Sequence, residues 1–361
     1  MLTRTLTTYT ATLRHVEKHW RLFAPVTERF GLKSVGHALT LPPDFNEEDL
    51  LFYDQPWVFA AARAHVAKVY RGDRLAGVLP YSFTNGRILN PHWARIVNPV
   101  VSSELSDMER IQVYSELIRQ LPIAFCANFV TRHDPLLSQA FTSEGFSKVF
   151  DHENFVRRPT PYCLSWNDAY SEVMHGLPSR TQAYVRQALK QLEVVAIGAK
   201  EFCQFYGNNL RQRGMKCWAP LASAERILKE GLLRGRVRLV ATRKKGDSSA
   251  PYDAAVAYAM DNHRSQYWMT TRRAAVNGIE PHPKAVYPLI CDGLVHAQLT
   301  GRIWDSDGST SAGKSHLYEK LFAIREREPL DHFYRESPMG TFYKKTKSAL
   351  GGILASGGTR T

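Results

Sequence analysis

Between Arg236 and Gly301 the chain presents three strand-like runs in succession and then a long apolar helix, and few architectures accommodate that order. RVRLVATRK (236–244), DAAVAYAMD (253–261) and SQYWMTTRR (265–273) are short, apolar and bounded by turn residues. HPKAVYPLICDGLVHAQLTG (282–301) follows as a helix, with Pro283 near its start, Gly301 as its stop and Pro288 placed to kink it. GRIWDSDG (301–308) then predicts a strand entering a turn, KSHLYEKLFAIRE (314–326) a helix and LDHFYRE (330–336) a last strand. The order β-β-β-α-β-α-β specifies an α/β fold with a mixed sheet and helices on its faces. Ahead of it, SEVMHGLPSRTQAYVRQALKQL (171–192) is helical text broken at Pro178; VVAIG is strand-like, and 200–213 and 222–235 are helices stopped by Gly214 and Gly235.

The first half repeats this order less completely. ARAHVAKVYRGDRLAGVLPYSF (62–83) predicts two strands joined at Gly72-Asp73, and 102–121 carries apolar residues at helical spacing. PIAFCANFV is a buried strand, and DPLLSQAFTSEGF a helix with Asp134 as N-cap, Pro135 at its first position and Gly145 as its stop. NFVRRPTPYCLSW returns as extended chain and carries a boundary near Pro159 to Pro161. A length of 361 residues, 44% hydrophobic, suits two domains, 1–160 and 161–361.

Composition narrows the class. Disorder is excluded by the apolar content, and no run approaches the apolar length of a membrane span. The five cysteines are scattered and never at C-x-x-C spacing, which predicts reduced thiols in a cytoplasmic protein and no metal site. The first 20 residues lack the apolar core of a secretory signal. Charge is asymmetric: residues 1–160 hold 18 Lys and Arg against 16 Asp and Glu, a net of +2, and residues 161–361 hold 29 against 18, a net of +11. The densest stretch is Arg211 to Lys245. That bias predicts an anionic partner for the second half, such as a nucleic acid or a phosphorylated substrate.

Gly308 to Ser315 matches G-x-x-x-x-G-K-[ST], between a strand and a helix, with Lys314 as the phosphate-facing lysine. A P-loop NTPase needs several more strands after this loop than the 46 residues beyond Ser315 supply. A nucleotide-binding protein is therefore kept as a lesser alternative, and the segment is read as a Gly/Ser-rich turn able to hold an anion. Cys217, next to Lys216, has no evident histidine partner for nucleophilic work.

Several stretches together resemble a known family. Val69 to Pro80 is similar to a "dG-lvGvlPl" hairpin, Leu177-Pro-Ser-Arg180 with Val185-Arg186 to a helical opening of a second domain, and Arg302 to Gly308 with Leu317 to Phe322 to a strand ending "fDf-G" and a lysine-aromatic helix. The chain resembles tandem GNAT-fold acyltransferases, in particular the Fem-type aminoacyl-tRNA-dependent peptidyltransferases and their acyltransferase relatives. The resemblance implies two GNAT-like domains, the second better formed, and transfer of an acyl or aminoacyl group to an amine of a small molecule or peptide. It also implies strands that splay near the middle of the sheet, with the reacting carbon beside the ends of the fourth and fifth. Asp305 and Asp307 are then candidates for general base or amine anchor, and Lys320 for a donor contact.

Arg272, Arg273, Asn277 and Gly278, in the loop after the fourth strand, are candidate donor-phosphate ligands together with Lys314. Arg180, Arg186, His263, Tyr267 and Trp268 are candidates for the substrate side. Strand alternation would put Tyr267 and Met269 on one face, Trp268 and Thr270 on the other. The 272–278 loop lacks the R/Q-x-x-G-x-G/A spacing of acyl-CoA-using members, so aminoacyl-tRNA is the slightly favoured co-substrate and acyl-CoA the runner-up. No tightly bound cofactor is implied. A non-catalytic RNA-binding protein on the same scaffold is the alternative from another class. In either case the basic half is expected to hold the phosphate-bearing partner.

Overall fold

The computed structural model describes residues 39, 41–45, 50–160, 163–275, 278, 280–308, 315–338 and 340–341. In chain order, its first half holds α1 (Pro56–Ala62), β1 (His65–Arg71), β2 (Arg74–Thr84), β3 (Arg87–Leu89), β4 (Val100–Val101), α2 (Asp107–Arg119), β5 (Cys126–Arg132), α3 (Pro135–Ser143) and β6 (Ser147–Arg157). The second holds α4 (Trp166–His175), α5 (Ser179–Gln191), β7 (Leu192–Ala196), α6 (Ala199–Gln212), α7 (Leu221–Leu233), β8 (Val237–Lys244), β9 (Ala254–Met260), β10 (Arg264–Arg272), α8 (Val286–Leu299), β11 (Ile303–Asp305) and β12 (Glu326–Glu336). The local signals act as expected. Gly72 turns β1 into β2 at φ 58°, and the Asp134 carboxylate accepts the Leu136 and Leu137 N–H groups at 2.9 and 3.3 Å, a cap worth about 1 kcal/mol. Glu109 accepts from both the N–H and the hydroxyl of Ser106 and closes the start of α2.

One mixed sheet runs through the molecule in the order β1-β2-β3-β5-β12-β6-β11-β10-β9-β8-β7, with β4 on β2. The last strand does not complete the second half. β12 lies between β5 and β6, pairing antiparallel with both, and β6 pairs with β11 through Trp304↔Arg157 and Asp305↔Val156. Backbone hydrogen bonds thus cross the 160 boundary in both directions.

β9 shows why the central strands are continuous apolar runs. All seven of its residues are buried. Ala255, Ala257 and Ala259 face α6 and α7, whereas Ala254, Val256 and Tyr258 face α4, α5 and α8, so the strand is covered on both sides. Tyr258 donates its hydroxyl to Leu289 O on α8 at 2.8 Å.

Three expectations are corrected. Pro288 does not kink α8, because the helix begins at Val286 and a proline in the first turn displaces no backbone hydrogen bond. The helix expected over 314–326 is, among its described residues, a six-residue π-helical turn, His316–Leu321, tied to α5 by a Thr181 hydroxyl bond to Leu321 O. Alternation fails on β10: a bulge between Tyr267 and Met269 puts Trp268 and Met269 on the same face, against α6 and α7, and leaves Tyr267 on the α8 side. All five cysteines are free thiols. Among the described residues no helix is long and apolar enough to cross a membrane.

Candidate active site at the β10–β11 gap

β10 and β11 run parallel for three residue pairs, Arg264↔Ile303, Ser265↔Trp304 and Gln266↔Asp305, and then part. β11 ends at Asp305 while β10 continues to Arg272, so from Tyr267 onward β10 is laddered on its β9 side alone among the described residues. A strand with one partner leaves alternate main-chain N–H and C=O groups facing the opening. Two clefts meet there. One, of about 340 Å³, is lined by Asn209 and Arg213 at the end of α6, Thr271 and Arg272 of β10, and Leu317 and Tyr318 of the π-turn. The other, of about 170 Å³, is lined by Trp93, Arg95, Trp218, Trp268 and Met269. Tyr206, Tyr267 and Thr270 belong to both, so the clefts adjoin across the gap.

The segment leaving β11 carries the polar chemistry. Asp305 is fully buried, and its Oδ2 receives Arg132 at 2.9 Å and Arg264 at 3.1 Å. Both arginines also reach Glu328. Burial raises the Asp305 carboxyl, but the two guanidinium groups overcome it and hold the pKa below the usual carboxylate value. Its Oδ1 accepts Asn154 Nδ2 and the Asp307 N–H at 2.8 and 2.7 Å. Asn154 in turn accepts Gly308 N–H and the Ser306 hydroxyl. Asp305 is thereby an anchor that fixes the following turn.

Asp307, held by that turn, stands in the left-handed region at φ 55° and is fully buried. Tyr53 donates its hydroxyl to Asp307 Oδ1 at 3.1 Å, and Arg95 Nε lies 3.7 Å from Oδ2. Oδ2 has no hydrogen-bond partner among the described residues. Burial, abetted by the Asp305 charge, pushes the Asp307 pKa up to about 7 against the opposing pull of Arg95 and Tyr53. A carboxylate with that pKa changes protonation at the pH where it would serve as a proton acceptor.

The other candidates are placed variously. Tyr267 and Trp268 line the clefts; Tyr267 donates to Thr270 Oγ1 at 2.9 Å, and Trp268 Nε1 to Trp93 O at 2.8 Å. Arg272 lines the larger cleft and binds Pro281 O, and Arg273 pairs with Asp253 at 2.9 Å. Gly278 is an exposed turn residue at φ 76°. Lys320 is exposed beside Glu319, whereas its neighbour Tyr318 is buried against Trp304. Arg180 and Arg186 lie on the exposed side of α5, bonded to Tyr184 and Gln182, and His263 lies exposed in the β9–β10 turn at the far end of β10. These last three do not line the clefts. Asn277 and Lys314 lie outside the described residues, as do the first 20 residues.

The basic stretch 211–245 is not one patch. Lys229 and Arg234 pair with glutamates one turn away on α7, Arg238 with Asp292, and Arg243 with Glu193. Sequence reading missed Tyr53, Trp93 and Arg95, which come from the nearly neutral first half. The available signal was NPHWARIVNP, a proline-flanked loop carrying Trp and Arg between two apolar strands. Among the described residues no cluster of His, Cys, Asp and Glu could hold a metal ion.

No protein-family model matches the sequence, and no curated protein matches it. Among solved structures, the C-terminal domain of a putative lysylphosphatidylglycerol synthetase from Agrobacterium fabrum superposes with a TM-score of 0.53 at 13% identity, over 85% of this chain and 95% of that one. FemX superposes with a TM-score of 0.55 at 10% identity, over 84% and 96%. The fold is of the GNAT type. Counted from β7, the strands that part, β10 and β11, are the fourth and fifth of the second half.

Proposed function

We propose that the protein is an acyltransferase that moves an aminoacyl group from aminoacyl-tRNA to an amine. The observation that carries this reading is the parting of β10 from β11 with Asp307 at its base. The acceptor ammonium loses a proton to the Asp307 carboxylate, and the free amine attacks the acyl carbonyl. The C–N bond forms, the ester C–O bond breaks, and the proton shed by the attacking nitrogen goes to the leaving ribose oxygen. Main-chain N–H groups of β10 that face the gap are suited to the oxyanion of the tetrahedral intermediate.

The donor assignment rests on where basic groups are spent and where they are open. Arg272 is bound to Pro281 O in the loop that follows it and Arg273 to Asp253, the residue before β9, which weakens a compact pyrophosphate clamp. A broad hollow of about 870 Å³ beside that loop carries Lys190, Lys244 and Lys245 together with Asp247, Asp253 and Glu280, so a polyanion would meet its lysine rim and not its acidic floor. In this reading residues 161–361 hold the donor, residues 1–160 complete the acceptor side, and the reaction runs in the cytoplasm. The test is turnover with a charged tRNA pool beside a panel of CoA thioesters, with Asp307→Asn as control. Transfer from charged tRNA that falls in the variant supports the proposal. Transfer from thioesters alone reassigns the donor to acyl-CoA, and salt-dependent tRNA binding without turnover makes the protein an RNA-binding module.

A further inference from the structure

The smaller cleft has chemistry that the transfer reaction does not by itself require. Trp93 and Trp218 rings lie 4.8 Å apart and Tyr206 stands edge-on to Trp93 at 6.0 Å, so the cleft is walled by aromatic faces. Its rim carries Arg95, whose side chain is 41% exposed. The Arg95 guanidinium is lightly held: Nη1 reaches Gly308 O at 3.5 Å, and Nε faces Asp307 across 3.7 Å, beyond hydrogen-bond distance. The loop that presents it is rigid. Trp93 stands at φ 71°, a strained conformation for a bulky residue, and is pinned there by Trp268 Nε1 on its carbonyl and by its own Nε1 on Pro220 O at 2.9 Å.

A loosely engaged cation thus stands at the mouth of an aromatic cleft of side-chain dimensions, and behind it lies a fully buried carboxylate whose Oδ2 has that cation but no hydrogen bond. We propose that the acceptor is a free α-amino acid with an aromatic or large apolar side chain. This rests on the acyl-transfer reading. A zwitterion carries its two charges in the sense opposite to the Arg95–Asp307 pair. Seated in the cleft, it draws the guanidinium onto its carboxylate and so opens Asp307 Oδ2, until then faced by Arg95, to its ammonium. The side chain then lies between Trp93, Trp218 and Tyr206. Drawing Arg95 toward the substrate removes a positive charge from Asp307, which favours proton uptake by that carboxylate. The ammonium gives one proton to Asp307, and the free amine attacks the donor carbonyl. The C–N bond forms as the ribose ester C–O bond breaks, and the second proton shed by the nitrogen goes to the leaving ribose oxygen. The product is a dipeptide with a free carboxylate on Arg95.

The test separates the pocket's ligand from the reaction by leaving the donor out. Intrinsic tryptophan fluorescence, or calorimetry, is followed on the full chain titrated with L-phenylalanine, L-phenylalaninamide and N-acetyl-L-phenylalanine. L-Phenylalanine is expected to bind at least ten-fold more tightly than either analogue. In Arg95→Met the acid and the amide should bind alike, and Arg95→Lys should restore part of the preference. Trp218→Ala, at a half-exposed position on the outer wall of the cleft, should erase the preference for phenylalanine over glycine. Equal affinity of the acid and its amide for the wild type, or no binding of any amino acid, overturns the inference. Discriminating binding without transfer from any donor refutes the transferase reading and leaves the ligand assignment standing.

Discussion

The Asp305 cluster offers the sharpest test of how the site is held. Arg132 and Arg264, each 13% exposed, face Asp305 and Glu328, so the four groups sum to zero charge across β5, β10, β11 and β12. Arg132→Met removes ion pairs at 2.9 and 3.3 Å and leaves Asp305 and Glu328 to share Arg264, with the more exposed Arg158 3.5 Å from Glu328. Breaking a buried pair from one side costs about 3–5 kcal/mol. The lower end applies here because Arg264 stays within 3.1 Å of Asp305. With a urea m-value of about 3 kcal/mol per M, a loss of about 3 kcal/mol lowers the unfolding midpoint by about 1 M. Urea unfolding followed by circular dichroism measures it.

The same variant lets the Asp305 pKa rise. The stabilisation conferred by a depressed carboxylate is complete above its unfolded value of 3.8 and is lost as pH falls through the lower folded value. In Arg132→Met the contribution should therefore be smaller, and its loss complete at a higher pH. Adding Asp305→Asn to Arg132→Met restores neutrality, and the double variant should be more stable than the sum of the two single losses implies. A midpoint unchanged to within 0.2 M, on a scale set by an m-value of about 3 kcal/mol per M, or strict additivity, would refute the reasoning.

Other outcomes follow from the same geometry. Asp307→Asn should lower kcat by about 10²- to 10⁴-fold with little change in thermal midpoint, the range expected when a proton acceptor is removed. In the wild type, kcat/KM should rise with pH through about 7 as Asp307 loses its proton, and this limb should vanish in the variant. Tyr53→Phe removes a hydrogen bond that favours the charged carboxylate, so the limb should move to higher pH; a shift downward contradicts the assignment. Gly293→Ala sets a Cβ 2.2 Å from the Tyr258 ring, between α8 and β9, and should cost about 1–3 kcal/mol by calorimetry or urea unfolding.

The second unit was legible because its signals are local. Glycines at 214, 235 and 301 stop helices, and the run from Arg236 to Leu299 places β8, β9, β10 and α8 within a few residues of their boundaries. Asp305 and Asp307 stood out as acidic residues at a strand end, but their different roles did not. The difference arises from Arg132, 173 residues away in sequence, and from Tyr53, 254 residues away, contacts that no local pattern encodes. The bulge at Trp268 was hidden because an extra residue in a strand leaves composition unchanged. The charge asymmetry pointed at the second half as a whole. It could not show that Lys229, Arg234, Arg238 and Arg243 pair with nearby carboxylates, nor that the first half supplies Arg95.

The position of β12 imposes an order on synthesis. Its partners in β5 and β6 leave the ribosome long before it does: Leu330 pairs with Arg132 and Glu326 with Val156. Until the strand arrives, β5 and β6 each present an open edge, the feature through which chains join one another wrongly. Closing so long a loop makes the middle of the sheet a late, non-local event in folding. The turn at Asp307 leans on Arg132 from β5 and Glu328 from β12 by way of Asp305, so it becomes rigid only when that final strand is seated. A nascent chain therefore holds every residue of the aromatic cleft before it holds the geometry of the turn beside it.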